Sequence, residues 1–311
     1  MKNVKLPAVP GYLSALLALL SLSAFTDLAA LERPVTISVY QGRCADGDFA
    51  ANLKTVRLEV EEALARGSDF VVFPETFLSG YASPELMQKG ARRIDDPELK
   101  AFIAESGKHT MVVLVGLARI TQEGIYNSEL VIQGGKILGI YDKVMLTEGD
   151  RDELKFIPGK AVPVFEANGA RFAVIICHDS SFPHPALMAK LQGAEILFTP
   201  HYNSIDAQRM DDHRKWVRNC HVGLAVQMKM VIVRSNVIVL DDPKSPGYGD
   251  SFIMSTQGEI LKAAELFKQE LITAKVGPEM FSMPYVWADL NEVPQWLNKS
   301  LAEMLLGAGK R

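Results

Sequence analysis

The feature that most constrains the fold is a series of short, β-branched apolar runs that alternate with amphipathic stretches. Residues 34–40 (PVTISVY), 69–73 (DFVVF) and 111–117 (MVVLVGL) have the composition of buried strands. Residues 48–66 and 96–106, which lie between them, have the apolar periodicity and the capping residues of helices. This order of strands and helices predicts an α/β fold.

Hairpin signals then interrupt the alternation. Gly134-Gly135 joins two predicted strands, and Asn168-Gly169 joins two more. Helices return at residues 185–192 and 211–228, among further strands that continue to residue 276. A purely parallel sheet does not produce hairpins, so the pattern favours mixed sheets with helices on the outside.

The two ends of the chain differ from this central part. Residues 1–33 form an extension whose apolar run, residues 12–25, has the length of a signal-peptide core. The alternative is a helix broken by prolines, and a cytoplasmic location is favoured over export or membrane anchoring. Residues 278–311 form a tail in which Trp287 and Trp296 suggest packing against another subunit. The main domain is therefore predicted to span residues 34–277.

Composition excludes several classes of function. Lys and Arg number 33 against 37 Asp and Glu, a net charge of −4 that argues against nucleic-acid binding. The three cysteines are an odd number, so at least one thiol is free, and no Cys-x-x-Cys pair suggests a zinc site. These properties are typical of a large, mildly acidic enzyme.

Three strand ends carry reactive side chains. Glu75 follows the strand at residues 69–73, Lys143 follows the second strand of a hairpin, and Cys177 ends another apolar strand. Ligands of open α/β sheets collect at such strand ends. A thiol nucleophile requires a base to take its proton, and the resulting oxyanion requires a positive group. Together the three residues form a minimal set for acyl transfer without a metal.

The segments around these residues resemble the three signature regions of the nitrilase superfamily of carbon–nitrogen hydrolases. They are FPETFLSGY (residues 73–81), YDKVML (residues 141–146) and IICHDSSFP (residues 175–183), and their order and spacing fit the family. The resemblance covers about residues 34–276. It implies a four-layer α-β-β-α sandwich of two mixed sheets, a catalytic triad of Glu75, Lys143 and Cys177, no cofactor, and a homodimer or larger homo-oligomer.

The resemblance also implies a second glutamate, which assists the triad and lies between Lys143 and Phe156. Glu153 is the nearest candidate, with Asp152 and Glu148 as competitors and a solvated loop as the alternative.

The implied mechanism uses Glu75 as the base and Cys177 as the nucleophile, with a thioester intermediate. Lys143 and the backbone N–H of His178 would hold the oxyanion. The side chain of His178 is expected to point away, because neighbouring strand residues face opposite sides. The expected substrate is a small amide or N-carbamoyl compound, with a nitrile as the alternative.

Substrate contacts are predicted for Tyr81, Phe182 and His201, and specificity loops at residues 83–92 and 202–209. A competing hypothesis is a metal-dependent hydrolase that uses Asp211, Asp212 and His213 together with His184 and His201. Its irregular spacing argues against metal binding, and carboxylates suit the start of a helix.

Overall fold

The computed structural model describes residues 31–282 and 290–308. Within them, fourteen strands and six α-helices follow the alternation that the sequence predicts. The strands are β1 (Val35–Gln41), β2 (Phe70–Val72), β3 (Val112–Ile120), β4 (Ile125–Gln133), β5 (Lys136–Asp142), β6 (Val164–Ala167), β7 (Ala170–Val174), β8 (Ile196–His201), β9 (Val231–Asn236), β10 (Ile238–Val239), β11 (Gly247–Tyr248), β12 (Phe252–Met254), β13 (Ile260–Ala263) and β14 (Glu270–Val276). The helices are α1 (Phe49–Ala65), α2 (Pro84–Gly90), α3 (Pro97–Glu105), α4 (Pro183–Leu191), α5 (Met210–Met228) and α6 (Gln295–Ala308).

The first sheet has the strand order β14-β1-β2-β3-β4-β5. β1, β2 and β3 run parallel, and the outer strands pair antiparallel. The helical face of this sheet packs against α1 and α3, whose apolar side chains join those of Val71, Val113 and Leu130 in one core. The carboxyl ends of β2 and β3 therefore meet at one edge, where the chain must turn.

The second sheet repeats this plan with the strand order β13-β12-β9-β8-β7-β6. β7, β8 and β9 run parallel, and hairpins or antiparallel pairs flank them. α4 and α5 cover its outer face, with Ala189, Leu224 and Ala225 packed into the core.

The two sheets pack face to face through aromatic and branched side chains. Phe70 of the first sheet lies 5.2 Å from Phe172 and 5.7 Å from Phe198 of the second, measured between ring centroids. All three rings are fully buried, and each contributes about 1.5–3 kcal/mol to folding by leaving water. The layers are helix, sheet, sheet and helix, so the predicted four-layer sandwich is confirmed.

One local prediction was wrong in conformation. Residues 83–92, predicted as a loop, contain α2, which begins where Ser83 accepts a hydrogen bond from Leu86 N–H and Pro84 takes the first helical position. In the charged stretch after Lys143, Glu148, Asp152 and Glu153 are exposed, as the solvated alternative expected, but residues Gly149–Glu153 form a π-helical turn. That turn becomes important at the site.

Most predictions for the two ends of the chain concern residues outside those that the structure describes. Residues 1–30, Trp287 and residues 309–311 lie outside the described residues. In the tail, residues Gln295–Ala308 form α6, and Trp296 on it is 67% exposed. Among residues 31–282 and 290–308, no helix is long and apolar enough to cross a membrane. The proposed subunit interface of the tail remains a prediction.

Candidate active site

The three predicted residues meet between the two sheets. Nζ of Lys143 lies 2.7 Å from Oε1 of Glu75, and both side chains are 1% exposed. Lys143 is held at the end of β5 by a hydrogen bond from its backbone N–H to Asn127 O, 2.9 Å long. Cys177 comes from the opposite sheet, three residues beyond the last residue of β7. The charges of Glu75 and Lys143 both act on its thiol. The fold therefore brings base, cation and thiol to one place.

The turn that carries Glu75 depends on a close approach of two backbones. A Cβ on Gly116 of β3 would lie 2.2 Å from Thr76 N, so only glycine fits there. Thr76 itself has a φ of 47°, in the left-handed region that costs energy for a β-branched residue. This turn directs the side chain of Glu75 inward instead of along the sheet face.

The carboxylate of Glu75 is fixed on both oxygens. Oε1 accepts hydrogen bonds from Lys143 Nζ (2.7 Å) and Asn127 Nδ2 (2.8 Å), and Oε2 accepts one from Tyr202 N (2.8 Å). Such charge-assisted bonds orient a base without a metal. Asn127 lies on β4, and sequence reasoning assigned it no role.

Asp150, not Glu153, is the second carboxylate at Lys143. Oδ2 of Asp150 lies 2.9 Å from Nζ of Lys143, and Oδ1 accepts a hydrogen bond of 2.5 Å from Tyr81 Oη. Glu153 is exposed at the end of the π-helical turn, and so are Asp152 and Glu148. The turn rotates the last residues of this segment outward and leaves Asp150 pointing inward.

A sequence signal for Asp150 existed. Asp150 N–H donates to Thr147 Oγ1 (3.0 Å), and Thr147 N–H donates to Asp150 Oδ2 (2.9 Å). This reciprocal pair follows the capping-box pattern of Ser or Thr followed three residues later by an acidic residue. The pattern fixes Asp150 on the inner side of the turn.

The backbone of Cys177 is strained. Its φ is 47°, and it begins the 3₁₀ turn Cys177–Ser181, with two residues between it and the end of β7. Left-handed backbone at a non-glycine residue persists only when the surroundings enforce it. Asp179 contributes to that enforcement, because its carboxylate accepts hydrogen bonds from Ile176 N (2.8 Å), Tyr141 Oη (2.6 Å) and Met145 N (2.7 Å). Asp179 thus ties the cysteine turn to the lysine segment.

The pKa values of the central groups follow from burial and mutual charge. Burial raises the pKa of the Cys177 thiol, and the negative charge of Glu75 raises it further, against the opposing effect of Lys143. Burial alone would lower the pKa of Lys143, but the neighbouring groups, Glu75 first and Asp150 with a smaller effect, hold that pKa well above the usual value. The resting state is therefore a neutral thiol beside a charged ammonium.

His178 presents its backbone, and not its ring, as the useful group. Its N–H lies in the first turn of the 3₁₀ segment, where N–H groups have no partner within the helix. Its ring packs edge-on against Phe182, with centroids 5.2 Å apart. Burial lowers the pKa of this imidazole, and the charge of Lys143 lowers it further.

The three residues predicted to contact the substrate lie at different places relative to the site. Tyr81 is at the site, because its hydroxyl binds Asp150 and its ring centroid lies 5.9 Å from Nζ of Lys143. Phe182 lies beside the site, where its ring contacts the ring of His178. His201 was placed wrongly: its ring is fully buried on the helical side of β8, 5.2 Å from the ring of His221.

The reason is strand alternation. The side chains of Thr199 and His201 share a face and both turn toward α5, where His221 contacts each of them. The residues that reach the site come just after the strand: Tyr202 binds Glu75 through its backbone, and Nδ2 of Asn203 lies 3.5 Å from Sγ of Cys177. Sequence reasoning missed Asn203.

The residues of the competing metal hypothesis do not form one cluster. Asp211 is exposed at the start of α5, and His213 binds the hydroxyl of Tyr248. In the described part of the chain, no group of three or more His, Cys, Asp or Glu side chains is arranged to hold a metal ion. All three cysteines are free thiols.

The sequence and the fold are also similar to those of known proteins. Residues 36–285 match the carbon-nitrogen hydrolase family. The chain belongs to the carbon–nitrogen hydrolase family. Membership of the nitrilase superfamily, predicted from the sequence, is thereby confirmed, and the chain is a hydrolase of carbon–nitrogen bonds other than peptide bonds.

Three relatives illustrate the range of this carbon–nitrogen hydrolase family. N-carbamoylputrescine amidase of Arabidopsis thaliana is 30% identical over 266 residues, which cover 80% of this chain and 88% of that protein. Glutamine-dependent NAD(+) synthetase of Thermotoga maritima is 29% identical over 73% of this chain, but this match spans only 39% of the synthetase. The solved structure of Saccharomyces cerevisiae Nit3, a nitrilase superfamily member, superposes with a TM-score of 0.71 at 21% identity and covers 82% of this chain and 94% of that one.

Proposed function

We propose that this hydrolase cleaves a small amide or N-carbamoyl compound by nucleophilic catalysis at Cys177. The observation that carries the proposal is the buried ion pair between Lys143 and Glu75, with Nζ and Oε1 2.7 Å apart, beside a partly buried thiol. A buried cation between two carboxylates is costly to desolvate, and such a pair is weak evidence for a role in stability alone. A cation in this position is suited to stabilise negative charge on a reacting carbonyl oxygen.

The first step is the attack on the carbonyl carbon. Glu75 accepts the thiol proton while the new S–C bond forms and the carbonyl π electrons move to oxygen. Because burial and Glu75 raise the pKa of Cys177, the proton leaves during the attack and not before it. Glu75 is a suitable acceptor because its two oxygens are already oriented by three donors.

Two donors then hold the oxyanion. The ammonium of Lys143 supplies a full positive charge, and the N–H of His178 supplies a dipole at the start of its 3₁₀ turn. The carboxylates of Glu75 and Asp150 keep the pKa of Lys143 well above its usual value. The lysine consequently stays protonated throughout the reaction.

Collapse of this intermediate breaks the C–N bond. Glu75 returns its proton to the departing nitrogen, and ammonia or an amine leaves a thioester on Cys177. Glu75, again a carboxylate, then takes a proton from water as the water oxygen attacks the thioester. The carboxylic acid leaves, and the thiol regains its proton. An N-carbamoyl substrate would give a carbamate, which decomposes to carbon dioxide and ammonia or amine.

The N-carbamoyl class is supported by similarity. The plant relative that is 30% identical over most of both chains is named for an N-carbamoyl amine, whereas the synthetase match leaves most of that protein uncovered. We therefore place N-carbamoyl amines first among substrates and simple amides second. No cofactor takes part in the proposed steps.

A substrate panel tests this proposal. The full chain is incubated with an N-carbamoyl amine, a primary amide and a nitrile, and ammonia and carbon dioxide are measured. We expect ammonia and carbon dioxide from the carbamoyl compound, ammonia alone from the amide, and no reaction with Cys177→Ala. Turnover of the nitrile alone would replace the proposed substrate class, and turnover by Cys177→Ala would overturn the nucleophile.

A further inference from the structure

Asn203 joins the thiol of Cys177 to a buried guanidinium. Its side chain is 6% exposed. Nδ2 lies 3.5 Å from Sγ of Cys177, and Oδ1 accepts a hydrogen bond of 2.8 Å from Nη2 of Arg234. The backbone N–H of Asn203 donates to Asn236 Oδ1 at 2.9 Å. Asn203 is therefore fixed at its backbone and at both ends of its carboxamide.

Arg234 is an unusual residue at the centre of β9. It is fully buried, and its Nη1 donates to the carbonyl oxygens of Gly249 (2.9 Å) and Asp250 (2.5 Å). The carboxylate of Asp250 is bound instead by Arg218, through hydrogen bonds to both oxygens. The contacts of Arg234 are thus made to neutral oxygens, and its positive charge is left to polarise them.

The guanidinium also determines which way the carboxamide points. An arginine side chain has donors and no acceptor, so only the oxygen of the Asn203 amide can face Arg234. The amide nitrogen must then face the sulfur of Cys177, and its N–H is polarised by the charge on the far side. This assignment follows from chemistry and does not depend on distinguishing nitrogen from oxygen.

We propose that Asn203 is a further catalytic residue that donates a hydrogen bond to the sulfur of Cys177 as negative charge develops there, and that Arg234 is its positioning residue. The inference rests on the proposed function only in taking Cys177 as the nucleophile. During attack, the thiol proton passes to Glu75 and the S–C bond forms at the substrate carbon. The N–H of Asn203 stays on the sulfur side and does not transfer a proton.

The site requires a group that stabilises negative charge on the sulfur of Cys177. Burial and the charge of Glu75 both make a thiolate unfavourable, and Lys143 is already occupied by two carboxylates. A donor directed at the sulfur lowers the cost of charge on it without adding a net charge to the pocket. A purely structural Asn203 would need its backbone contact to Asn236 but not its amide nitrogen.

The test measures thiol reactivity and not amidase turnover. Full-length protein is alkylated with iodoacetamide at neutral pH, and modification of the peptide that contains Cys177 is followed by mass spectrometry. The main variants are Asn203→Asp, which is isosteric and keeps an acceptor for Arg234 but adds a negative charge, and Asn203→Leu, which removes the N–H donor without adding charge. We expect alkylation of Cys177 to slow by about ten-fold or more, the usual effect of losing a hydrogen bond to a charged group.

Two further variants separate positioning from packing. Arg234→Lys keeps a buried cation and should restore much of the rate that Arg234→Met loses. Ser235→Ala removes a neighbouring buried hydrogen bond, from Ser235 Oγ to Phe73 O, and should leave the alkylation rate within about two-fold of the wild type. Circular dichroism and thermal melting establish that each variant is folded.

The outcomes are distinct from those of the substrate panel. A wild-type alkylation rate in folded Asn203→Asp or Asn203→Leu would overturn the proposal, even if amide hydrolysis is intact. An equal loss of rate in Ser235→Ala would also overturn it, because the effect would then be one of packing. If alkylation behaves as expected but no panel substrate is turned over, the proposed substrates fail and the role of Asn203 at the thiol stands.

Discussion

Oδ2 of Asp150 lies 2.9 Å from Nζ of Lys143, and the two side chains are 0% and 1% exposed. Together with Glu75, Asp150 places the lysine between two buried carboxylates. In such surroundings, removal of the ammonium would leave both carboxylates buried without their cation, and removal of either carboxylate would weaken the charge that holds the lysine. The arrangement makes the protonation of Lys143 depend on both acids.

The role of Asp150 predicts a large effect of Asp150→Asn. Burial alone lowers the pKa of Lys143, so loss of one counter-charge weakens the ammonium and loosens its position. We expect kcat to fall by about 10²-fold, the scale seen when one oxyanion-stabilising contact is removed. Glu153→Gln is the matched control, because Glu153 is exposed and its change should leave kcat unaltered. An equal loss in both variants would show that Asp150 has no special role.

Lys143 is predicted to contribute to stability as well as to catalysis. Lys143→Met removes the cation and leaves Glu75 and Asp150 buried without it. We expect the free energy of unfolding to fall by about 3–5 kcal/mol, as for other broken buried pairs, with loss of turnover. Urea denaturation measures the change. The double variant in which Asp150→Asn accompanies Lys143→Met should recover part of the stability but none of the activity.

Glu129 gives a prediction about pH. It is fully buried, and both carboxylate oxygens lack a hydrogen-bond partner among the described residues. Burial raises its pKa well above the usual value, and the charge of Glu75 adds to this. Below the unfolded pKa of about 4.3 the carboxyl is protonated in both states, so it causes no pH dependence there. As the pH rises further, the unfolded state loses the proton first, and folding stability falls.

Glu129→Gln should remove this pH-dependent penalty. We expect the variant to be more stable than the wild type at neutral pH, with an advantage that grows by at most about 1.4 kcal/mol per pH unit. Denaturation curves at mildly acidic and neutral pH measure the difference. An advantage that stays the same at both pH values would contradict the assignment of a raised pKa to Glu129.

A variant of His201 distinguishes a residue that contacts the substrate from one that only packs in the core. Its ring is buried against His221 and accepts or donates only within the protein, with Nδ1 2.8 Å from Thr199 O. His201→Gln should therefore lower the melting temperature and leave KM within about two-fold. A large rise in KM without loss of stability would restore the substrate contact that the sequence suggested.

The sequence was sufficient for the parts of the site that follow directly from strand ends. Glu75, Lys143 and Cys177 each stand just beyond a recognisable apolar strand, so their positions follow from the sheet edges. The four layers follow from the alternation and the hairpins in the same way. Periodicity and turn residues act locally, and a reader of the sequence can see them.

The remaining parts depend on contacts that no local pattern contains. Asp150 reaches Lys143 because the π-helical turn directs Asp150 inward and Glu153 outward. The local sequence signal for this is the three-residue spacing of Thr147 and Asp150, which allows their reciprocal hydrogen bonds. His201 was misplaced because one residue of strand register decides which face a side chain takes. Asn203 is a site residue only because β9 places Arg234 behind it.

The proposed reaction passes through a thioester on Cys177. Acid quenching during turnover of an amide, followed by mass spectrometry of the peptide that contains Cys177, measures this intermediate directly. We expect a mass increase equal to the acyl group on Cys177 in the wild type, and neither the adduct nor turnover in Cys177→Ala. Sustained turnover by Cys177→Ala would contradict this pathway.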